Sequence, residues 1–200
     1  VTATVGVLAL QGGVSEHVRL LTELGADAVP VRAPSDLTGP DGPRLDALVL
    51  PGGESSTMDK LLRLFDLAEP LRELIASGVP TLGTCAGLVL LATDVVDPAP
   101  GQRSLGLLDV TVQRNAFGPQ VDSAETVLET TLGPVKVAFI RAPIVTRLGT
   151  EVEELATWQG RVVAVRQGAV TGISFHPELT GDPTFHRALL AASGHATRAA

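Results

Sequence analysis

Cysteine is almost absent: Cys85 is the only one in 200 residues. That excludes an internal disulfide framework and C-x-x-C metal sites, and no H-E-x-x-H spacing offers a metal site in their place. A lone thiol suits a reducing compartment. Aromatic residues make up 3% of the chain, with no tyrosine, so the core must be built from Val, Leu, Ile and Ala. Basic residues number 15 against 22 acidic ones, a formal net charge of −7. A nucleic-acid binder more often shows a basic excess or a basic stripe, and neither is present. No apolar run reaches the roughly 18 residues that a membrane span needs. The apolar start, residues 1–11, has neither a basic leader nor a small-residue cleavage site, and reads as a first strand. Together these absences lead to the expectation of a cytoplasmic protein with no membrane or nucleic-acid partner.

What is present is a globular composition, 44% hydrophobic and 18% charged, with 21 glycines. Short apolar runs at 4–10, 28–31, 47–50 and 79–82 read as strands covered on both faces. Between them lie glycine turns and stretches with apolar residues at helical spacing, at 14–24, 57–67 and 70–76. A further apolar helix starts near Leu88. Strand, glycine turn, helix, repeated, predicts an α/β unit with a parallel sheet. The segment 34–44, with its Pro, Gly and Asp, reads as a loop. The second half is richer in strands, at 108–114, 125–128, 136–140, 151–157, 161–166 and 169–174, with a hairpin turn at Gln167-Gly168. A helix over 183–192 closes the chain, and residues 193–200 read as a fraying tail. All 200 residues are expected to form one domain.

Cys85 stands in Gly83-Thr84-Cys85-Ala86-Gly87, between a buried strand and a helix. A sharp strand-to-helix turn projects its central side chain outward and tolerates only small neighbours. The helix N-terminus adds free N–H groups and partial positive charge, which favour the reactive thiolate. The competing interpretation is a buried structural cysteine, one of the residue types most often found inside proteins.

Of the four histidines, His176 ends the apolar run 170–175 and precedes Pro177 and Glu178. Sites in α/β folds collect at such strand ends. The rigid proline holds two side chains apart, and a base needs a partner to fix its tautomer. Cys85, His176 and Glu178 therefore supply a nucleophile, a base and an orienting carboxylate; alternatively, His176-Pro177-Glu178 is a solvated turn. His186 is expected on a surface helix, His195 in the tail, and His17 on a first helix where it lines a surface or cleft. Gln11-Gly12-Gly13 lacks the G-x-G-x-x-G spacing, and Pro51-Gly52-Gly53 lacks the P-loop lysine. The latter either turns N–H groups toward a developing negative charge or is a plain turn.

With these residues in view, the chain resembles the class I, triad-type glutamine amidotransferases. More narrowly, it is similar to the glutaminase subunits of pyridoxal 5′-phosphate synthases. The likeness runs through Gly6-Val7-Leu8-Ala9-Leu10-Gln11-Gly12, Glu16-His17, residues 50–57 (LPGGESST) and Gly83-Thr84-Cys85-Ala86-Gly87. It continues through residues 114–118 (RNAFG), 120–123 (QVDS), 139–143 (FIRAP) and 174–180 (SFHPELT). The cysteine and His-x-Glu blocks mark the superfamily; the RNAFG and FIRAP blocks are more specific to the subunit.

The resemblance implies a three-layer α/β/α sandwich with a mixed, largely parallel sheet. It implies hydrolysis of L-glutamine to glutamate and ammonia by Cys85, His176 and Glu178, without metal or organic cofactor. Glutamine would lie against Gly52, Gly53 and Glu54, with Arg114, Ile140 and Arg141 completing the pocket and backbone N–H groups near Gly53 and Ala86 as the oxyanion donors. The implied partner is a (β/α)₈ synthase subunit that consumes the ammonia, in a complex of twelve and twelve subunits whose glutaminase is poorly active alone. The first-helix region, with His17 and the Gln11-Gly12-Gly13 turn, would lie near that interface. Pro119 and Ala124 depart from the family pattern, which bears on partner contact and not on the triad. Two rival readings are another cysteine hydrolase of peptidase-like layout and a scaffold without catalytic activity.

Overall fold

The computed structural model describes residues 2–39, 42–117 and 123–194. Its elements follow in chain order. They are β1 (Thr4–Leu8), α1 (Val14–Glu23), β2 (Asp27–Val31), a 3₁₀ turn (Pro34–Asp36), the short strands β3 (Thr38–Gly39) and β4 (Gly42–Pro43), β5 (Ala47–Leu50), α2 (Ser55–Leu64), α3 (Ala68–Ala76), β6 (Thr81–Thr84) and α4 (Ala86–Leu91). Then come β7 (Ala92–Val96), β8 (Leu108–Gln113), β9 (Ser123–Thr130), β10 (Gly133–Ile140), β11 (Ile144–Leu148), β12 (Glu153–Trp158), β13 (Arg161–Gln167), β14 (Val170–Ile173), α5 (Pro177–Thr180) and α6 (Thr184–Ala192).

The main sheet runs β2-β1-β5-β6-β14-β13-β11-β8-β7, with β12 pairing with β13. From β2 to β14 all neighbours are parallel; β13 and β11 continue the sheet antiparallel, and β7 and β8 are parallel again. Side-chain alternation divides the central strands between two cores. In β5, Leu48 and Leu50 join Met58 and Leu62 of α2, Leu71, Leu74 and Ile75 of α3, and α4. Ala47 and Val49, with Val5 and Val7 of β1, face Leu21 of α1 and Phe185, Leu189 and Leu190 of α6. Strands buried on both faces need helices on both faces, so the result is three layers, α/β/α, around a mixed and mostly parallel sheet. The hairpin β9–β10 packs beside the second core. No helix among the described residues is long and apolar enough to cross a membrane.

Most expected elements are present with shifted ends. The strand expected at 79–82 is Thr81–Thr84, which brings Cys85 directly onto its end. The helix expected from Leu88 begins at Ala86 and stops at Leu91, where Ala92 turns to extended φ/ψ and β7 follows. β7 and β11 were not anticipated, and the expected loop at 34–44 contains the 3₁₀ turn and the β3–β4 pair. The Gln167-Gly168 turn does join an antiparallel pair, Gln167 opposite Val170. Pro119, His195 and the tail 195–200 lie outside the described residues.

Five of the six aromatic residues are gathered in one place. Phe117, Phe139, Trp158, Phe175 and Phe185 form a continuous cluster with ring centroids 4.2–5.8 Å apart. Phe139 stacks on Trp158 and meets Phe175 edge-on. Phe175 precedes His176, so this cluster is the floor on which the histidine loop rests.

Candidate active site

In a parallel sheet the carboxyl ends of the strands share one edge, and loops leaving them meet there. Here β1, β5, β6 and β14 are consecutive neighbours. Their exits deliver Gln11-Gly12-Gly13, Gly52-Gly53, Cys85 and His176 to a single cleft of about 570 Å³, which Arg114, Ile140 and Arg141 also line. The adjacency of β6 and β14, with Thr84 opposite Ile173, brings residues far apart in sequence side by side.

Cys85 adopts φ 49° and ψ −101°, in the left half of conformational space that a β-carbon disfavours. Its N–H donates to the Ile173 carbonyl at 2.8 Å, which pins the turn to β14. The flanking glycines make the turn possible. A β-carbon on Gly87 would overlap the Leu50 carbonyl oxygen, and one on Gly83 would strike Leu91 and the Gly87 backbone. Ala86 opens α4, so its N–H has no intrahelical acceptor. Asn115 and Arg141, on the same cleft, also have positive φ; such strain tends to gather at functional sites.

His176 Nδ1 lies 2.7 Å from Glu178 Oε1. Its N–H donates to the Ala138 carbonyl at 2.8 Å, which anchors the loop to β10. Glu178 is 1% exposed and His176 8% exposed, so this is no solvated turn. Burial opposes a charge on the imidazole. Hydrogen bonds to Cys85 and Glu178, and attraction to both, outweigh it and raise the His176 pKa from 6.5 to about 10. The Cε1 edge of the ring faces Gly52, where any β-carbon would overlap it. The Gly52 carbonyl accepts from Gly13 N–H at 3.0 Å, and Glu54 N–H donates to Gln11 Oε1 at 2.9 Å.

The resemblance puts Glu54 and Arg114 against glutamine, whose ammonium and carboxylate call for opposite charges. In the structure they pair with each other, Arg114 Nη2 lying 3.1 Å from Glu54 Oε1. The Glu54 carboxylate also caps α2, accepting from the Ser56 and Thr57 N–H groups and both hydroxyls. Burial alone would raise its pKa, but these hydrogen bonds lower it to about 2. Arg114 Nη1 reaches Gln102 Oε1 at 3.0 Å.

Two expectations are overturned. His186 is not on a surface, and His17 lines no surface: both are fully buried. His17 lies on the α1 face that carries Leu20 and Leu21, and His186 on the α6 face that carries Leu189 and Leu190. Helical spacing, i to i+3 and i+4, carries that signal in the sequence. His17 Nδ1 is 2.8 Å from His186 Nε2, and His17 Nε2 is 3.6 Å from Glu178 Oε1. Burial lowers the pKa of both, that of His186 to about 4.

A stability profile follows from these shifts. Below pH 6.5 the unfolded chain takes up protons at His17 and His186 that the folded chain refuses, so acid destabilises the fold progressively toward pH 4. His176 acts oppositely: its contribution is complete below 6.5 and is lost as pH rises through about 10. Thermal unfolding followed from pH 4 to 10 is expected to show highest stability near pH 6.5–7, with a decline on both sides. A Tm still rising from pH 6.5 down to 5 would contradict the buried neutral pair.

Residues 7–192 match the SNO glutamine amidotransferase family. The chain is 55% identical over 190 residues to the pyridoxal 5′-phosphate synthase subunit PdxT of Acidothermus cellulolyticus, covering 91% of this chain and 89% of that one. It is 57% identical over 186 residues to the protein of the same name from Parafrankia sp., covering 92% and 89%. Among solved structures, a glutamine amidotransferase superposes with a TM-score of 0.87 at 47% identity, covering 95% of this chain and 98% of that one. A cysteine on a strained elbow, a buried histidine and carboxylate beside it, and a match over nearly the whole chain agree: this protein belongs to the SNO family of class I glutamine amidotransferases.

Proposed function

We propose that the chain hydrolyses the side-chain amide of L-glutamine with Cys85 as nucleophile, and that it supplies the ammonia to a synthase subunit making pyridoxal 5′-phosphate. The observation that carries this reading is the buried His176–Glu178 pair at the strand end beside Cys85, with Nδ1 and Oε1 2.7 Å apart. The reaction balances as acyl transfer to water. The Cys85 thiolate adds to the amide carbon, and the oxyanion is met by the N–H groups of Gly53 and Ala86. The carbon–nitrogen bond breaks as the His176 imidazolium gives its proton to the departing ammonia. The neutral imidazole then takes a proton from water, which attacks the thioester and releases glutamate and the thiolate. Glu178 keeps the ring in one tautomer throughout. No step calls for a metal or an organic cofactor.

Gly52, Gly53, Glu54, Arg114, Ile140 and Arg141 are proposed to hold the substrate. Because the Glu54 carboxylate already caps α2, its contribution is the placing of its backbone and of Arg114. Replacing Arg114 by alanine frees one side of Glu54 and removes a cation from the cleft. The glutamine KM is expected to rise about tenfold, the loss of a charge-assisted hydrogen bond, with a smaller change in kcat. Unchanged KM and kcat in steady-state kinetics would remove Arg114 from the site.

The proposed partner is a (β/α)₈ synthase subunit, assembled with this chain as twelve and twelve, and residues 1–200 act as one glutaminase unit. Relatives above half identity carry the name pyridoxal 5′-phosphate synthase subunit. Ammonia is protonated near neutral pH and escapes to solvent, so hydrolysis is useful only while docked to its consumer. The Gly52–Gly53 peptide is the proposed switch, since glycine crosses φ/ψ space at low cost. In the unpartnered chain the Gly52 carbonyl is tied to Gly13 N–H, so a flip must break that bond. The test is ammonia release from saturating glutamine as the purified chain is titrated with the synthase subunit. The rate should climb to a plateau with partner. A rate already maximal without it, and flat across the titration, would overturn the dependence.

A further inference from the structure

Behind the triad lies a buried polar chain that the proposed mechanism does not use. His17, on α1, sits between His186 of α6, Thr84 of β6 and Glu178 of α5. His17 Nδ1 is 2.8 Å from His186 Nε2, His17 Nε2 is 3.2 Å from Thr84 Oγ1, and the same Nε2 is 3.6 Å from Glu178 Oε1. His17, His186 and Thr84 are fully buried. Polar groups in such a place cost stability unless they are paired, and three elements would pack as well with apolar side chains.

Both rings are neutral, so each has one N–H and one lone pair, and the two tautomer arrangements can be told apart. In the first, His17 Nδ1–H donates to His186; His186 must then carry its own proton at its other nitrogen. Among the described residues that nitrogen has no hydrogen-bond partner, so a buried N–H is left unpaired. The first arrangement also turns the His17 Nε2 lone pair toward the Glu178 carboxylate. In the second, His186 Nε2–H donates to His17 Nδ1, and His17 Nε2–H donates to Thr84 Oγ1 with the carboxylate just beyond. This leaves only an unpaired lone pair on His186 and sets the positive end of an N–H dipole toward the anion. Both considerations select the second arrangement. Asp182, the other charged group acting on His186, favours the charged ring but is outweighed by burial.

We infer that His17 is a positioning residue for Glu178: His186 fixes it as the Nε2–H tautomer, and that N–H, aimed past Thr84 at Oε1, helps hold the carboxylate in place against His176. Glu178 needs such help. Oε1 already accepts from His176, and Oε2 has no hydrogen-bond partner among the described residues. The carboxylate is thus held by the ring it must orient, and His17 supplies a second contact to the same oxygen from α1, an element that does not move with that ring. In a low-dielectric interior a fixed dipole beside an anion acts more strongly than in water. The role rests on the proposed triad reading.

The test has two parts. Ring nitrogen shifts of the ¹⁵N-labelled chain report each histidine tautomer without reference to activity. His17 is expected with hydrogen on Nε2 and a bare Nδ1 across pH 6–9; hydrogen on Nδ1 overturns the inference. In the complex with the synthase subunit, His17→Leu is expected to lower kcat about tenfold with KM within about twofold, the scale of one lost contact to a charged group. His17→Gln, whose amide N–H₂ can stand where Nε2–H stood, should recover most of that loss. A folded His17→Leu chain with wild-type kcat overturns the role, as does an equal loss in both variants. Should the Leu variant fail to fold, His17→Gln is compared with His17→Asn, whose shorter amide cannot reach Thr84; equal rates there count against the role. Cys85→Ala is measured alongside. Activity in that variant would defeat the triad reading, whereas an inactive Cys85→Ala beside an unaffected His17→Leu defeats this inference alone.

Discussion

Replacing Cys85 by alanine is expected to lower glutamine hydrolysis in the synthase complex by at least about 10⁴-fold while leaving the fold intact, because no other group can form the acyl intermediate. The fold should survive for local reasons. Cys85 is only partly buried, and its turn is held by the backbone, through Cys85 N–H to the Ile173 carbonyl and the close approach of Gly87 to Leu50. Alanine bears the same positive-φ strain as cysteine, so Tm should change by only a few degrees for a roughly 1 kcal/mol effect. A second readout tests the coupling. The hydrogen bond to Cys85 is the first of the influences that raise His176, so the imidazole pKa should fall in the variant. Appreciable hydrolysis by Cys85→Ala, or a His176 titration unmoved by it, would contradict the assignment.

The second large effect is expected at a residue with no side chain. Gly52 lies against the Cε1 edge of the His176 ring, and a β-carbon there would overlap Cε1 with Nδ1 close by. The ring is trapped between that backbone and the Glu178 carboxylate, so Gly52→Ala must either push it from Cys85 or move the β5 exit. A displacement on the order of 1 Å at a catalytic group costs about 10²-fold in rate. Gly53→Ala provides the contrast. Its β-carbon would meet Gln11 Oε1, the far end of a side chain that can move by giving up its bond to Glu54 N–H, and would lie in a tight contact, 3.1 Å, with Gly12 Cα; the backbone N–H proposed for the oxyanion is retained. Gly52→Ala should therefore lose about 10²-fold in kcat, and Gly53→Ala markedly less. Equal kcat values for the two would mean that the contact with His176 is not what makes Gly52 necessary.

The legible part of this molecule was local. Gly83-Thr84-Cys85-Ala86-Gly87 announces its turn because only small residues fit around it, and His176-Pro177-Glu178 announces a fixed pair because proline stiffens the link. Strand and helix alternation up to Cys85 predicts the parallel half of the sheet, since each unit carries its own hydrophobic period and its own glycine stop. What was missed is tertiary. The Ala92–Val96 strand continues an apolar run that looks like the rest of α4, and only its pairing with β8 separates them. Ile144–Leu148 follows a proline and only its first two residues are buried, so its pattern is weak until β8 and β13 flank it.

The histidines were misjudged for a different reason. His17 and His186 each stand at core positions of an amphipathic helix, but a polar residue there reads as surface unless its partner is known. Each is the other's partner, separated by nearly the whole chain. Likewise the charges of Glu54 and Arg114 suggested a pocket for a zwitterion, and only the structure shows that they are already joined.

The proposed reaction begins with attack of Cys85 on the amide carbon of glutamine in this cleft. It is tested most directly with a glutamine analogue bearing an electrophilic ketone in place of the amide, applied to the chain in complex with its synthase. Peptide mass mapping of the inactivated protein should find one adduct, on Cys85, formed in step with the loss of hydrolysis and slowed by added glutamine. Complete inactivation with Cys85 unmodified, or full labelling of Cys85 with hydrolysis undiminished, would contradict it.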